Sequence, residues 1–300
     1  MVWRSVMISR PARLRREHFS LAIDQEETAF VPFEDIAVIV LNHREITLTH
    51  PVLSACGEYG IGLYATGSNH QPAGVFLPFL PHSRTTRMMR KQLGIAKPAA
   101  KQAWASIVRR KIENQAACLR LCGAKGVDRL ESYARRVRSG DPDNLEAQAA
   151  AFYFAQLYGL DFHRAEERWT HAALDYGYAV LRGAIARGLV AHGLHPTIGL
   201  FHDSEQNAFN LADDLIEPFR PLVDLHVAKH ASLTEGNLTP ADKQALVALF
   251  NVDVGMPQGR MSVLSAIEYA VESLVRAYEE DASALDLPVL IGLQAHRLEY

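Results

Sequence analysis

Val75-Phe76-Leu77-Pro78-Phe79-Leu80-Pro81-His82-Ser83-Arg84 is where the chain changes character, and that change decides the fold class. Upstream lie short runs of β-branched and aromatic residues: Val6–Ile8, Phe19–Ile23, Ile36–Leu41, Glu45–Leu48, Ile61–Tyr64 and Val75–Leu77. Most are closed by Gly, Pro, Asn or Asp, which reads as strands joined by turns. Strands this close together predict an antiparallel sandwich or small barrel. One helix interrupts them at Thr49 to Tyr59, with Thr49 as its cap and Pro51 in its first turn. Downstream of Arg84 the apolar residues recur at steps of three and four, as in Trp104, Ile107, Val108 and Ile112. The expected class is α+β, with a small antiparallel β domain over 1–80, a linker at about 77–83 and an all-helical domain over 81–300.

The 300 residues, 48% hydrophobic and 22% charged, are those of a globular chain with a sizeable core. No run approaches the ~20 apolar residues of a membrane span, and Met1 to Val6 is too short and arginine-broken for a secretion signal. The three cysteines, Cys56, Cys118 and Cys122, form no Cys-x-x-Cys spacing, so a reducing cytoplasm is expected. The net charge of -3 hides an asymmetry. Between Arg84 and Arg138 fifteen basic residues face three acidic ones, a net of +12, and the remainder carries -15. A block so one-signed suggests a polyanionic partner. Within it Arg84, Lys97, Lys101, Arg109, Arg110 and Lys111 are candidate DNA contacts.

The candidate chemistry lies further on. Asp141-Pro142-Asp143-Asn144 reads as a loop opening a buried helix, with Asp143 or Asn144 as cap and Glu146 in the first turn. A carboxylate at the mouth of a buried helix needs a partner to offset desolvation, although it also complements the helix dipole. A second helix is expected over Glu205 to Phe219. Its apolar side is Ala208, Leu211, Ala212, Leu215, Ile216 and Phe219, while Asp213, Asp214 and Glu217 fall largely outside it. Carboxylates three residues apart, such as Asp214 and Glu217, repel unless a cation lies between them. His202 precedes this helix, within reach of its acidic side. With the basic block, these groups suggest cation-assisted phosphodiester chemistry.

The pattern Gln92, Lys97, Lys101, Trp104, Lys111-Ile112 and Gln115 resembles the CRISPR-associated endonuclease/integrase family, the larger (Cas-one) subunit of the spacer-acquisition machinery. So do Asn144–Ala147 with Ala150–Phe154, Leu174–Arg182, Gly199–His202 and Asn210–Pro221. The likeness covers nearly the whole chain, and Asn210–Pro221 is most similar to the branch that accompanies type II systems. It implies that Glu146, His202 and Glu217 hold Mg2+ or Mn2+, with Asp214 as a nearby helper. It further implies a homodimer joined through the β domains and a heterohexamer with a dimer of a small ferredoxin-like Cas-two partner. The implied substrates are double-stranded pre-spacer DNA and the CRISPR repeat, joined by 3′-hydroxyl attack at the repeat boundary. Where His171 stands the family usually has asparagine, so no role is carried to it.

Two other readings compete. A His-Asp metal phosphohydrolase would use His202-Asp203 with His163, His192 and Asp213; the family reading instead makes Asp203 or Ser204 a helix cap. A non-catalytic DNA-binding scaffold would need the basic helices but not the carboxylates, with Tyr176, Tyr178 and Trp169 free to stack on bases unless they belong to the core.

Overall fold

The computed structural model describes residues 4–67, 72–78, 84–159, 169–231, 236–280 and 285–296. Its N-terminal part holds β1 (Arg4–Ile8), β2 (Ala12–Glu17), β3 (Ser20–Asp24), β4 (Thr28–Pro32), β5 (Ile36–Leu41), β6 (Ile46–Leu48), α1 (His50–Glu58), β7 (Gly62–Thr66) and β8 (Pro72–Phe76). They form two four-stranded sheets, ordered β1-β5-β7-β8 and β4-β3-β2-β6. The expected antiparallel sandwich is corrected here, because both sheets are mixed. β5 runs parallel to β1 and to β7, and β2 runs parallel to β6. Parallel neighbours need long crossovers. Strands β2 to β4 supply the one from β1 to β5, and β6 with α1 supplies the one from β5 to β7.

The unbroken apolar run of β5 fits this arrangement, since a parallel strand is buried on both faces. Ile39 packs with Leu14, Leu21 and Phe33 between the sheets. Val38 and Val40 turn the other way, into the core built by the helices. Strand β2 escaped the sequence reading because arginines mask its alternation: Ala12 and Leu14 are buried, and Arg15 reaches across to Asp24 at 2.9 Å. Thr49 stands at the start of α1, with Pro51 in the first turn, yet its side chain caps nothing.

The helical part comprises α2 (Thr85–Leu93), α3 (Lys97–Leu121), α4 (Val127–Arg136), α5 (Leu145–Tyr158), α6 (Trp169–Ala191), α7 (Asn210–Ile216), α8 (Arg220–His230), α9 (Pro240–Ala248) and α10 (Val263–Glu280). It is not all-helical. β9 (Asp253–Met256) and β10 (Gly259–Ser262) form a hairpin before α10, and Gly255 bridges to Val289 in the C-terminal segment. The expected linker lies partly outside the described residues. Among those described, no helix is long and apolar enough to cross a membrane.

α6 joins the two parts. Tyr64 of β7 lies against Gly183, where a Cβ would stand 2.1 Å from its ring. Arg187, 3% exposed, donates to the Gly60 carbonyl at 2.7 Å and pairs with Glu268 of α10. Tyr176, Tyr178 and Trp169 are buried in this core and offer no face to a base. Cys118 packs there too.

Candidate active site

Helix α3 organises the site. Lys97, Lys101, Trp104, Val108, Lys111 and Gln115 follow one another at steps of four and three, so they form one stripe along its surface. Lys97 and Lys101 are exposed at its start. Trp104 stacks on the exposed ring of Phe201 at 4.3 Å and meets His202 edge-on at 5.7 Å. Two turns further along, Lys111 is only 7% exposed. Its ammonium is ion-paired with Glu146 at the start of α5 and with Glu217 just past α7. Asn114 locks the frame, donating to the carbonyls of Pro218 (2.7 Å) and Pro288 (2.9 Å) and accepting from the Leu290 N–H (3.0 Å).

Two sequence expectations about helix ends are corrected. Asn144 occupies the cap position of α5, but the carboxylate of Asp141 accepts from the N–H groups of Leu145 and Glu146, both at 2.9 Å. That clamp fixes the backbone of Glu146. The expected helix over Glu205 to Phe219 is α7 alone, starting at Asn210, so neither Asp203 nor Ser204 caps it. Asp203 is exposed.

Nor are Asp214 and Glu217 on a solvated face, being 0% and 6% exposed. Asp214 accepts four hydrogen bonds: from the N–H groups of Leu200 (2.6 Å), Phe201 (3.1 Å) and His202 (3.1 Å), and from His202 Nδ1 (2.7 Å). The carboxylate is an acceptor only, so Nδ1 carries the proton and Nε2 keeps its lone pair. The Asp214 hydrogen bond outweighs burial and holds the His202 pKa above the usual imidazole value. Gly199 is required here, because a Cβ would stand 2.2 Å from the His202 carbonyl oxygen.

Around Glu217 charges are dense. Burial alone would protonate it, but Lys111 and then Arg220 outweigh that and hold its pKa below the usual glutamate value. Burial would likewise discharge Lys111, and Glu217 and Glu146 reverse the sign. Glu217 Oε2 stands against Lys111 Nζ, and its Oε1 lies 3.0 Å from Arg220 Nε. Gln115 Oε1 is buried without a donor. Both residues line a cavity of about 200 Å³ shared with Glu146, Lys111 and Asp224. Asp224, on α8, accepts from the hydroxyls of Tyr153 (3.0 Å) and Tyr178. Sequence reasoning passed over it, as it did Asn114 and Asp141; polar residues inside an apolar stripe were the available signal.

The structure therefore brings Glu146 and Glu217 together through Lys111, while His202 stands beside Trp104, about 10 Å of helix rise away. Among the described residues no three His, Cys, Asp or Glu side chains are placed to close on one ion. The donor set still suits a divalent cation: two carboxylates and an imidazole whose Nδ1 is engaged by Asp214. One positive charge already sits between the glutamates, and it is Lys111.

The remaining DNA candidates divide. Arg84, Lys97, Lys101 and Arg109 are exposed. Arg110 pairs with Glu113 at 2.9 Å, and Lys111 faces inward, so Arg109-Arg110-Lys111 is not one basic patch. The His-Asp grouping is not assembled either. His192 lies near Glu268 and Glu272, Asp213 accepts from Asn207 at 2.7 Å, and His163 is outside the described residues. His171 is buried.

Comparison with known proteins adds the following. The family profile described as CRISPR associated protein Cas1 matches residues 6–245. A CRISPR-associated endonuclease Cas1 of Neisseria meningitidis serogroup C (strain 8013) is 41% identical over all of both chains. Another, from Thermus thermophilus, is 28% identical, covering 79% of this chain and 82% of that one. Among solved structures, a casposase bound to integration product has a TM-score of 0.77 at 18% identity, covering 95% and 93% of the two chains. A CAS1 protein from Thermotoga maritima has a TM-score of 0.73 at 18% identity, covering 99% and 100%. A Cas6-RT-Cas1–Cas2 complex chain has a TM-score of 0.72 at 16% identity, covering 94% of this chain and 35% of its own.

Proposed function

As a member of the CRISPR-associated Cas1 endonuclease family, the chain has a site that we propose inserts short foreign DNA fragments into a CRISPR array, using Mg2+ or Mn2+. The observation that carries this reading is the pair Glu146–Glu217, bridged by a cation from the middle of a helix whose start presents exposed Lys97 and Lys101.

Glu146, Glu217 and His202 Nε2 would hold the divalent ion. When bound, it would draw charge from the attacked phosphodiester and steady the leaving oxygen as a 3′-hydroxyl attacks the repeat boundary. The chain's own groups do the rest. Asp214 accepts from Nδ1, so that Nε2 is the nitrogen turned to the ion, and fixes the ring's direction, as outer partners of metal-binding histidines do. Asp141 holds the first turn of α5, and with it Glu146. Arg220, held over Tyr178 at 4.6 Å, keeps Glu217 ionised. Lys97, Lys101, Arg84 and Arg109 would neutralise phosphates of double-stranded DNA and set its path toward the cavity.

A homodimer through the N-terminal sheets agrees with Phe30, 54% exposed on the edge strand β4, and Phe19, 73% exposed. A heterohexamer with two copies of a small Cas2-type partner, working in the cytoplasm, completes the proposal. The similar chain in a Cas6-RT-Cas1–Cas2 complex supports that partner. A scaffold that only binds DNA has no use for a buried Glu217 beside a half-buried Glu146, since desolvating carboxylates is costly.

The test is a plasmid-integration assay with purified protein, its small partner, pre-spacer DNA and Mn2+. Covalent joining at the array, lost on chelation, is expected. Tight DNA binding with no strand transfer in any divalent ion would leave the scaffold reading.

A further inference from the structure

Resting on the divalent-ion reading above, we propose that Lys111 is a built-in counter-ion. It keeps the Glu146–Glu217 pair closed to free metal and yields its place when a DNA phosphate arrives. Metal loading and DNA binding would thereby be coupled.

The geometry comes first. The ammonium stands between a carboxylate on α5 and one just past α7, on a side chain only 9% exposed. It is anchored on α3, whose neighbouring Asn114 is fixed to both the α7–α8 junction and the C-terminal segment. The backbone next to Glu217 is held through Pro218 and that of Glu146 by Asp141, so both glutamates keep their places if the ammonium leaves. The adjoining cavity, about 200 Å³, gives the side chain somewhere to go. Gln115 Oε1, on the same cavity wall, is a buried acceptor without a hydrogen bond.

Charge comes second. Glu146 and Glu217 carry two negative charges; Lys111 and Arg220 carry two positive ones. Asp224, on the same cavity wall, adds a third negative charge at neutral pH. A divalent ion entering beside Lys111 would turn that small negative excess into a positive one in a mostly buried place, which low-dielectric surroundings oppose. A phosphodiester brought along the basic stripe supplies negative charge for both the ion and the displaced ammonium. Each ligand then raises the affinity for the other by the same factor. Lys111 is a positioning residue in this scheme.

The experiment counts free Mn2+ by electron paramagnetic resonance during titration of the full chain. It compares wild type, Lys111→Met and Lys111→Met with Glu217→Gln, each alone and with a short DNA duplex. The last protein with the same duplex measures Mn2+ held by DNA itself. Without DNA, Lys111→Met should bind Mn2+ more tightly than wild type, on the order of tenfold. The duplex should tighten wild-type binding and change the variant much less. Mn2+ should also raise the thermal midpoint of Lys111→Met more than that of wild type. If Lys111→Met does not fold without metal, recovery in Mn2+ supports the proposal and continued unfolding overturns it. Equal affinities in wild type and variant, or a duplex without effect on wild type, overturn the role of Lys111 and leave the ion site standing. Absence of bound Mn2+ in every form overturns the ion reading as well.

Discussion

Asp214 grips His202 twice, through its backbone N–H at 3.1 Å and its ring Nδ1 at 2.7 Å. Replacing Asp214 by Asn sets an amide where four donors converge. Hydrogen bonds to a charged group contribute about 1.5–3 kcal/mol each, so a loss of several kcal/mol in urea unfolding is expected. The His202 pKa should fall, since its largest upward cause is gone. In wild type that raised value stabilises the fold below the imidazole's unfolded pKa of about 6.5. The contribution is lost as pH rises through the folded value. Ring-proton NMR of His202 would show this, and an unchanged titration in Asp214→Asn would deny the clamp.

Glu146→Ala, His202→Ala and Glu217→Ala should each lower integration about 10²-fold or more while duplex binding persists. Their double variants should lose little beyond the singles, because one function is removed only once. Asp203→Ala should change neither stability nor activity, since Asp203 is exposed and caps no helix. Inactivity of Asp203→Ala with a silent Glu217→Ala would favour the His-Asp hydrolase.

Asp224 should make stability fall between about pH 4 and pH 6. Burial pushes its carboxyl up to about 6, against the hydrogen bonds from Tyr178 and Tyr153. In the unfolded chain it titrates near 3.9. As pH rises from about 4 to 6 the unfolded state gives up this proton while the folded state keeps it, so unfolding gains about 3 kcal/mol. Asp224→Asn should remove that part of the slope. Denaturant unfolding at pH 4.5 and pH 7 reads it directly, and parallel profiles for the two proteins would count against it.

Gly199→Ala should displace the loop that carries His202. The added Cβ would meet a backbone oxygen at 2.2 Å, and backbone cannot step aside as a side chain can. A loss of about 1–3 kcal/mol is expected. Mn2+ affinity should fall with it, and a fully stable, active Gly199→Ala would exclude this packing.

For DNA affinity, Lys97→Ala with Lys101→Ala should make the dependence of log K on log salt shallower, by about 0.9 for each phosphate no longer neutralised. Arg110→Ala should change it little, because Arg110 is engaged with Glu113. An unaltered slope in the first pair would take the start of α3 out of the DNA path.

The change from strands to helices near Arg84 was legible because periodicity is a local property, and motif order singles out Glu146, His202 and Glu217 as candidates. Strand direction was not: β5 and β7 become parallel only through what β6 and α1 do between them. Lys111 was misread for a related reason. In sequence it is one more cation in a +12 block, and only helical phase separates it from the exposed Arg109 and turns it toward Glu217. Asp141 was overlooked because its cap acts from outside the position where capping is sought. The hairpin of β9 and β10 was too short to show a period.

Arg187 and Tyr64 carry a consequence for how the molecule comes apart. The core under α6 includes Val38, Val40 and Tyr64, so the helices do not own a complete interior. Removing everything before Ser83 would strip one wall from that interior and leave Arg187 without the Gly60 carbonyl. The sequence boundary near residue 80 is thus not a seam along which unfolding starts. Heat or denaturant should melt sheets and helices in one cooperative step, and any tilt imposed on the sheets by a second subunit would be felt at α6 as movement of a single solid body.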